Sequence, residues 1–303
     1  IAYLLYPIVD HLHDQYNIHK GIAILSIYVL FFGGIGYLIY RVYPTIIIQL
    51  RDLNEHLPQL ITMYQQVIYQ LYESTSFLPE TVHDKIDDII TTVETNLEDL
   101  LSKLVGGFTK IFDIIVLLMV IPVLVFYFLK DYHKIKDFLK RFIPNKYEAQ
   151  LSKIFHSIDD SLGNYIRGQL LVCFFVGVVT FIVFYLLDIK YALLLALIIG
   201  LTNVIPYFGP IIGAIPAVAL TLTVSTKLAI FVILTIFVVQ LIESNLLQPY
   251  ILGKSINIHP IAIIFALLLG AQISGIWGMI LAVPGLTIIK EIISHIYAFR
   301  QYR

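Results

Sequence analysis

The stretch Asn203–Pro216, "NVIPYFGPIIGAIP", lies in one of the most apolar parts of the chain, yet it holds three prolines and two glycines. Both residue types kink or end helices. An apolar helix crossing a bilayer has no use for them unless the chain turns there. The fold therefore depends on whether Pro206, Gly209, Pro210, Gly213 and Pro216 interrupt a membrane span or form the tip of a hairpin within the membrane.

The surrounding composition sets the solvent. Hydrophobic residues make up 58% of the 303 residues and charged residues only 14%, against about 25% charged in a soluble domain. Such a chain is an integral membrane protein. Its net charge of -1 gives no reason to expect a nucleic-acid partner. The single cysteine, Cys173, cannot form an intrachain disulfide and reads as a packing residue. The chain opens on Ile1, and "IAYLLYP" reads as the end of an apolar segment that begins upstream. A cleaved signal peptide is the weaker reading, because no charged n-region precedes it.

Apolar runs at Gly21–Tyr40, Ile111–Leu129, Leu170–Leu187 and Leu228–Ile242 approach the roughly 20 residues that a helical span needs. Two longer runs, Tyr191–Val224 and Ile258–Ile289, are each broken near the middle. The second break involves Gly270, Gly275 and Gly278, with Pro284 beyond. Half of either run makes a helix of about 22 Å, short of a hydrocarbon core of about 30 Å. Each is either a pair of short tilted spans or a helical hairpin that enters and leaves on one side. The hairpin is the preferred reading. Irregular backbone at membrane depth is tolerated only where protein or a water-filled cavity satisfies it.

Between Tyr43 and Gly107 the pattern becomes amphipathic. Leu50, Leu53, Leu57, Leu60, Tyr64, Val67 and Leu71 step by three and four, as do Val82, Ile86, Ile89, Val93, Leu97, Leu100 and Leu104. "SFLPET" at Ser76–Thr81 reads as the turn of a water-exposed helical hairpin. Residues 51–103 carry three Lys/Arg against ten Asp/Glu, and residues 130–153 carry seven against three. Lys/Arg enrichment marks the cytoplasmic side. That places the amphipathic hairpin outside, and residues 130–153 and the C-terminus inside. The two broken runs then begin and end on one side each, the first outside and the second inside. The expected fold is all-α and polytopic. It comprises N-terminal membrane helices (1–44, the first cut short), an extracytoplasmic hairpin (45–107), a membrane helix (108–130), a cytoplasmic amphipathic region (131–167) and a core (168–303). The core would be an inverted repeat of a span plus a broken run. "LIIG" at 197–200 and "AIPA" at 214–217 parallel "LLLG" at 267–270 and "AVPG" at 282–285. Inverted repeats with broken helices recur in secondary transporters, with the binding site where the broken elements meet.

"NVIPYFGPIIGAIPA" from Asn203, "QLIESNLLQPYILGKSINIHPIAIIFALLLG" at 240–270, "YIRGQ" at 165–169 and "FYFLKD" at 126–131 resemble the recurring stretches of the autoinducer-2 exporter family. "AYLLYPIVDHL" at 2–12 is similar to the end of that family's second membrane helix. The resemblance implies a homo-oligomeric secondary transporter of the bacterial inner membrane, as a pentamer, with about eight membrane segments. Family members are linked to export of autoinducer-2 and others to sodium (lithium)/proton exchange, so the family name does not fix the substrate.

Glu243, Asn245 and Pro249 match the family's E-x-N-x-x-x-P core, with Gln240 and Gln248 alongside. An ionisable residue at the end of a membrane helix is a functional candidate. Glu243 suits a cation, a proton or a hydroxylated solute; the plainer alternative is an interfacial carboxylate paired with Lys254. Asn203, Thr202, Gln272 and Ser274 add amide and hydroxyl chemistry, suited to a neutral polyol or a partly dehydrated monovalent cation. Arg167 reads as snorkelling beside Gln169, and Asp159 and Asp160 read as solvated. His259 before Pro260 reads as shaping a loop. His11 and His13 read as loop residues, and no metal-ligand spacing appears among the nine histidines. No Walker-type glycine loop and no catalytic constellation are present in the sequence, so no cofactor and no enzymatic reaction are expected. Three functions remain: export of a small polar solute, cation/proton exchange through Glu243, and a non-transporting membrane scaffold. Broken helices favour transport.

Overall fold

A computed structural model describes residues 2–16, 19–74, 111–132, 134, 135, 138, 148–251 and 258–301. All regular structure among them is helical. The helices are α1 (Ala2–Tyr16), α2 (Lys20–Ser74), α3 (Ile111–Lys130), α4 (Glu148–Leu186), α5 (Ala192–Thr202), α6 (Phe208–Val224), α7 (Thr226–Ile242) and α8 (Pro260–Gln301). After α7 the chain makes a π-helical turn, Glu243–Leu247, and one more α turn, Gln248–Ile251. Among the described residues four helical stretches are long and apolar enough to cross a membrane: Gly21–Leu53, Leu151–Leu186, Thr226–Ile251 and Pro260–Tyr297. The outward surface fits that setting, since Leu30, Phe174, Phe265, Ile273 and Trp277 are all exposed. The chain is a multi-pass membrane protein.

The helices run longer than the apolar runs suggest. α2 has 55 residues, so the span from Gly21 and the first amphipathic arm are one rod of about 82 Å. The division at 44/45 falls inside α2, and that at 167/168 falls inside α4. His11 and His13 lie on α1 rather than in a loop. The expected turn at Ser76–Thr81, the second arm from Val82 to Leu104, and Lys254 lie outside the described residues.

Both broken runs fold back on themselves. In the first, α5 and α6 are joined by Asn203–Tyr207 and lie antiparallel. A Cβ built on Gly209 falls 2.6 Å from Asn203 Cα, and one on Gly213 falls 2.7 Å from Ile199 Cα. The glycines are there because the partner backbone occupies the space of a side chain. Tyr207 takes a positive φ of 65° at the turn. In the second, α8 breaks at Ser274 and Gly275. Gly275 has φ 57°, a conformation that glycine adopts freely. The two arms of α8 meet backbone to backbone at Gly270 and Gly278. α5 and α6 are about 16 and 26 Å long, and the first arm of α8 about 21 Å, all below membrane thickness. Pro216 and Pro284 sit within the returning arms, away from the turns.

One apolar cluster joins Leu50 and Leu53 of α2 to Val172, Val176 and Phe184 of α4, Leu194, Leu195 and Ile199 of α5, and Val232 of α7. A second joins α1, α2 and α3 through Leu5, Ile24 and Leu129. The third brings the two hairpins together, with Ile205 of the first turn packed with Tyr165, Ile263, Leu267 and Val283.

Polar contacts lie near both ends of α4. At one end Ser157 meets His295 at 3.3 Å, Ser161 donates to Glu291 at 3.2 Å, and Tyr132 donates to Asp159. Asp159 is therefore engaged in the fold rather than merely solvated, while Asp160 is exposed and lies 3.5 Å from His156. Beyond the other end, Asp52 of α2 accepts from Tyr191 at 2.7 Å and pairs with Lys190 at 2.8 Å. Gln49 accepts the Leu194 N–H at 3.2 Å. α5 has no side-chain cap of its own, so α2 supplies a partner for one of its free amides. The Asp52 carboxylate holds the Lys190 ammonium above the ordinary lysine range.

Candidate functional site

Three elements meet around a buried polar cluster: α4, the α5–α6 turn, and the end of α7. α4 contributes Gln169, which is 3% exposed. Its Nε2 donates to the Asn203 carbonyl at 2.7 Å. Asn203 ends α5, and its own N–H is used by Ile199 O. Its side chain is 0% exposed, and neither Oδ1 nor Nδ2 completes a hydrogen bond. The amide stands beside the Glu243 carboxylate.

Glu243 is 1% exposed. It opens the π-helical turn, and Gln248 Nε2 donates to its Oε1 at 3.1 Å. In an α-helix, residues five apart point about 140° away from each other. The i→i+5 geometry of a π turn brings them onto one side, and such turns recur at functional sites. Among the described residues Glu243 Oε2 has no partner, and neither has the buried Gln240 Oε1 one turn before it. Among the described residues no Lys, Arg or His lies within ion-pair distance of Glu243.

Buried polar groups are ordinarily hydrogen-bonded, and an exception calls for a cause. Here four side-chain atoms from Asn203, Gln240 and Glu243 lack partners in one neighbourhood. They comprise three acceptor oxygens and one donor nitrogen. A ligand that donates hydrogen bonds or carries positive charge suits this set; an anion does not.

The structure thus brings together Asn203, Glu243 and Gln248, with Gln240 adjacent. It leaves Asn245 and Gln272 apart. Asn245 is exposed, and its Nδ2 donates to Leu241 O at 2.9 Å. Gln272 is exposed on an open groove of ≈ 590 Å³ lined by Phe265, Leu268, Leu269 and Ala271. Thr202 spends its hydroxyl on Ile198 O, at 2.8 Å. Arg167 donates to Asn164 at 2.8 Å. Pro206, Gly209 and Pro210 form or adjoin the first turn, Gly213 and Pro216 line its returning arm, and Gly270, Gly275 and Gly278 shape the second hairpin. Gln169 is the residue that sequence reasoning passed over as a candidate. Its only signal was an amide at the mouth of an apolar run.

A family profile described as AI-2E family transporter matches residues 1–298. The chain belongs to the AI-2E transporter family. It is 40% identical to the Bacillus subtilis protein named "Putative transport protein YrrI", over 99% of this chain and 85% of that one. It is 35% identical to "Putative transport protein YueF" of the same organism, over 96% and 80%. "Putative permease PerM" of Escherichia coli is 28% identical over 64% of this chain and 54% of its own length. These names agree with the family in pointing to transport across a membrane.

Proposed function

We propose that this AI-2E family member is a secondary transporter that carries a small polar solute outward, with Asn203 and Glu243 at its binding site. The observation that carries the reading is the facing pair itself: a fully buried amide and carboxylate with unpartnered atoms, held where α4, the α5–α6 turn and the end of α7 meet. Gln240 and Gln248 complete the polar lining. Autoinducer-2, the family's namesake, is one candidate solute, since hydroxyl groups match the acceptor oxygens. The hairpins enter the membrane from opposite faces as halves of an inverted repeat, which their sub-membrane lengths support. The amphipathic arm from residue 45 to 107 stands outside and the C-terminus inside, and the transporter works as a homo-oligomer, with the pentamer drawn from family resemblance. A second reading is sodium (lithium)/proton exchange. It is favoured by a buried carboxylate oxygen that, among the described residues, completes no hydrogen bond and meets no cation.

Flux into vesicles reconstituted with the full chain separates the two, using sodium with a pH dye and labelled erythritol. Glu243→Gln keeps the shape and removes the charge. It abolishes proton coupling in an exchanger and leaves partial flux in a solute carrier, because an amide still bonds a hydroxyl. Asn203→Leu impairs both. Parental flux in both variants at equal abundance would place the site elsewhere.

A further inference from the structure

We propose that Gln169 is a positioning residue of this site: by tying the α5–α6 turn to α4, its amide holds the Asn203 side chain toward Glu243. The inference rests on the transport reading above and adds α4 as the third wall. Gln169 is buried, and its Nε2 meets a main-chain carbonyl 34 positions away at 2.7 Å. That carbonyl belongs to Asn203, whose buried side chain stands beside the Glu243 carboxylate and, among the described residues, completes no hydrogen bond. With the main chain of Asn203 fixed, its amide pivots from a set Cα within reach of the Glu243 carboxylate. Cys173, one turn further along the same face of α4, lies against Gln169 and within the electrostatic reach of Glu243. One more turn on, Gly177 lets α5 approach. A Cβ on Gly200 falls 3.0 Å from Gly177 Cα and 3.2 Å from Cys173 O. The face made by Gln169, Cys173 and Gly177 therefore runs along α5 up to the turn, and the amide is the hydrogen bond that closes it. Apolar packing alone would let the turn slide along α4, since it has no direction; a hydrogen bond to one carbonyl sets both distance and angle.

Cys173 is the chain's own cysteine and reports on this contact without engineering. The test uses the full chain in lipid vesicles, and alkylation of Cys173 by N-ethylmaleimide reads how often the turn leaves α4. Gln169→Met keeps the length and removes the donor. One buried hydrogen bond corresponds to about a three- to tenfold change in such an equilibrium. The expected result is labelling faster by about that factor, with half-saturation for the carried probe, sodium or erythritol, raised similarly. Adding Asn203→Leu to Gln169→Met costs no more flux than Asn203→Leu alone, because one residue acts through the other.

Should Gln169→Met fail to accumulate, Gln169→Glu decides. As a protonated acid it donates to the carbonyl and as a carboxylate it repels it, so labelling relative to the parent at the same pH falls as pH is lowered. The titratable groups nearby are Tyr165 and Cys173 on α4 and Glu243 after α7; a carboxylate introduced at 169 disfavours the Cys173 thiolate and slows labelling as it ionises, which is opposite in sign to release of the turn, so a ratio that falls as pH is lowered reports the turn. Parental labelling in Gln169→Met, or a Gln169→Glu ratio that does not change with pH, overturns the proposal. So does an unchanged half-saturation in Gln169→Met while Glu243→Gln loses transport. If neither probe is carried by the parent, the transport reading fails on its own and labelling still decides whether Gln169 holds the turn.

Discussion

Replacing Gly278 by alanine tests the second hairpin at its narrowest point. A Cβ there would lie 2.6 Å from the Gly270 carbonyl carbon, with the carbonyl oxygen closer still. Carbon atoms in contact sit about 3.5–4.0 Å apart, so the arms have to part by about 1 Å. The obstacle is main chain, which cannot rotate away as a side chain can. Overpacking of this kind costs about 1–3 kcal/mol, offset by up to about 1 kcal/mol from the better helix propensity of alanine. The matched control is Gly285→Ala, on the same arm, where an added Cβ meets nothing within 4 Å. It gains the propensity and incurs no clash. The propensity gain is common to both, so the two variants should differ by about 1–3 kcal/mol, with Gly278→Ala the less stable. Thermal unfolding in one detergent, with equal protein and equal scan rate, reads this as a separation of several degrees in apparent midpoint. Equal midpoints, or a more stable Gly278→Ala, would refute the close approach of the arms. The second broken run would then have to cross the membrane as two separated segments.

Cysteines placed at Lys190 and Lys227 in a Cys173→Ser background label from the same face of the membrane; labelling from opposite faces rejects the first hairpin as re-entrant. A cysteine at Lys290 labels from the face opposite to Lys190, because the two lie toward opposite ends of α4. Folding raises the Lys190 affinity for its proton through Asp52, so the pair contributes fully below the ordinary lysine value and is lost as pH rises through the higher folded value. The stability difference between the parent and Lys190→Met is therefore constant between pH 7 and 9 and shrinks only in strong alkali. It is small for so exposed a pair, and a difference that vanishes below pH 9 contradicts the contact.

The sequence carried the architecture through two kinds of signal. Apolar length announced the membrane, and glycine with proline announced where the chain doubles back. Both are local, and the turns at Asn203–Tyr207 and Ser274–Gly275 fall inside the two runs too interrupted to be single spans. Helix ends were harder to see. Tyr43 and Pro44 looked like a boundary because hydropathy drops there, but hydropathy reports the solvent and not the backbone, and α2 continues to Ser74. The polar cluster was half legible. Glu243 and Asn203 stood out as polar residues in apolar surroundings. Asn245 was grouped with Glu243 by proximity in the chain, whereas the π turn selects Gln248 and leaves Asn245 bonded to its own helix. Gln169 was not legible, because its meaning lies in a carbonyl 34 residues away.

α5 begins on amides that α2 helps to satisfy. Gln49 and Asp52 grip Leu194, Lys190 and Tyr191 just where α5 starts, and the same unbroken rod carries on to Ser74. A rod of that length, fixed near its middle to the root of a short hairpin, is a lever. Sideways force on its far end arrives at α5 as torque, reduced by any bending at Pro58, which lacks the N–H for an i→i−4 hydrogen bond within this stretch. Either the hairpin travels with the rod or the grip at Gln49 and Asp52 opens, and in the second case α5 loses a partner it cannot replace from its own sequence.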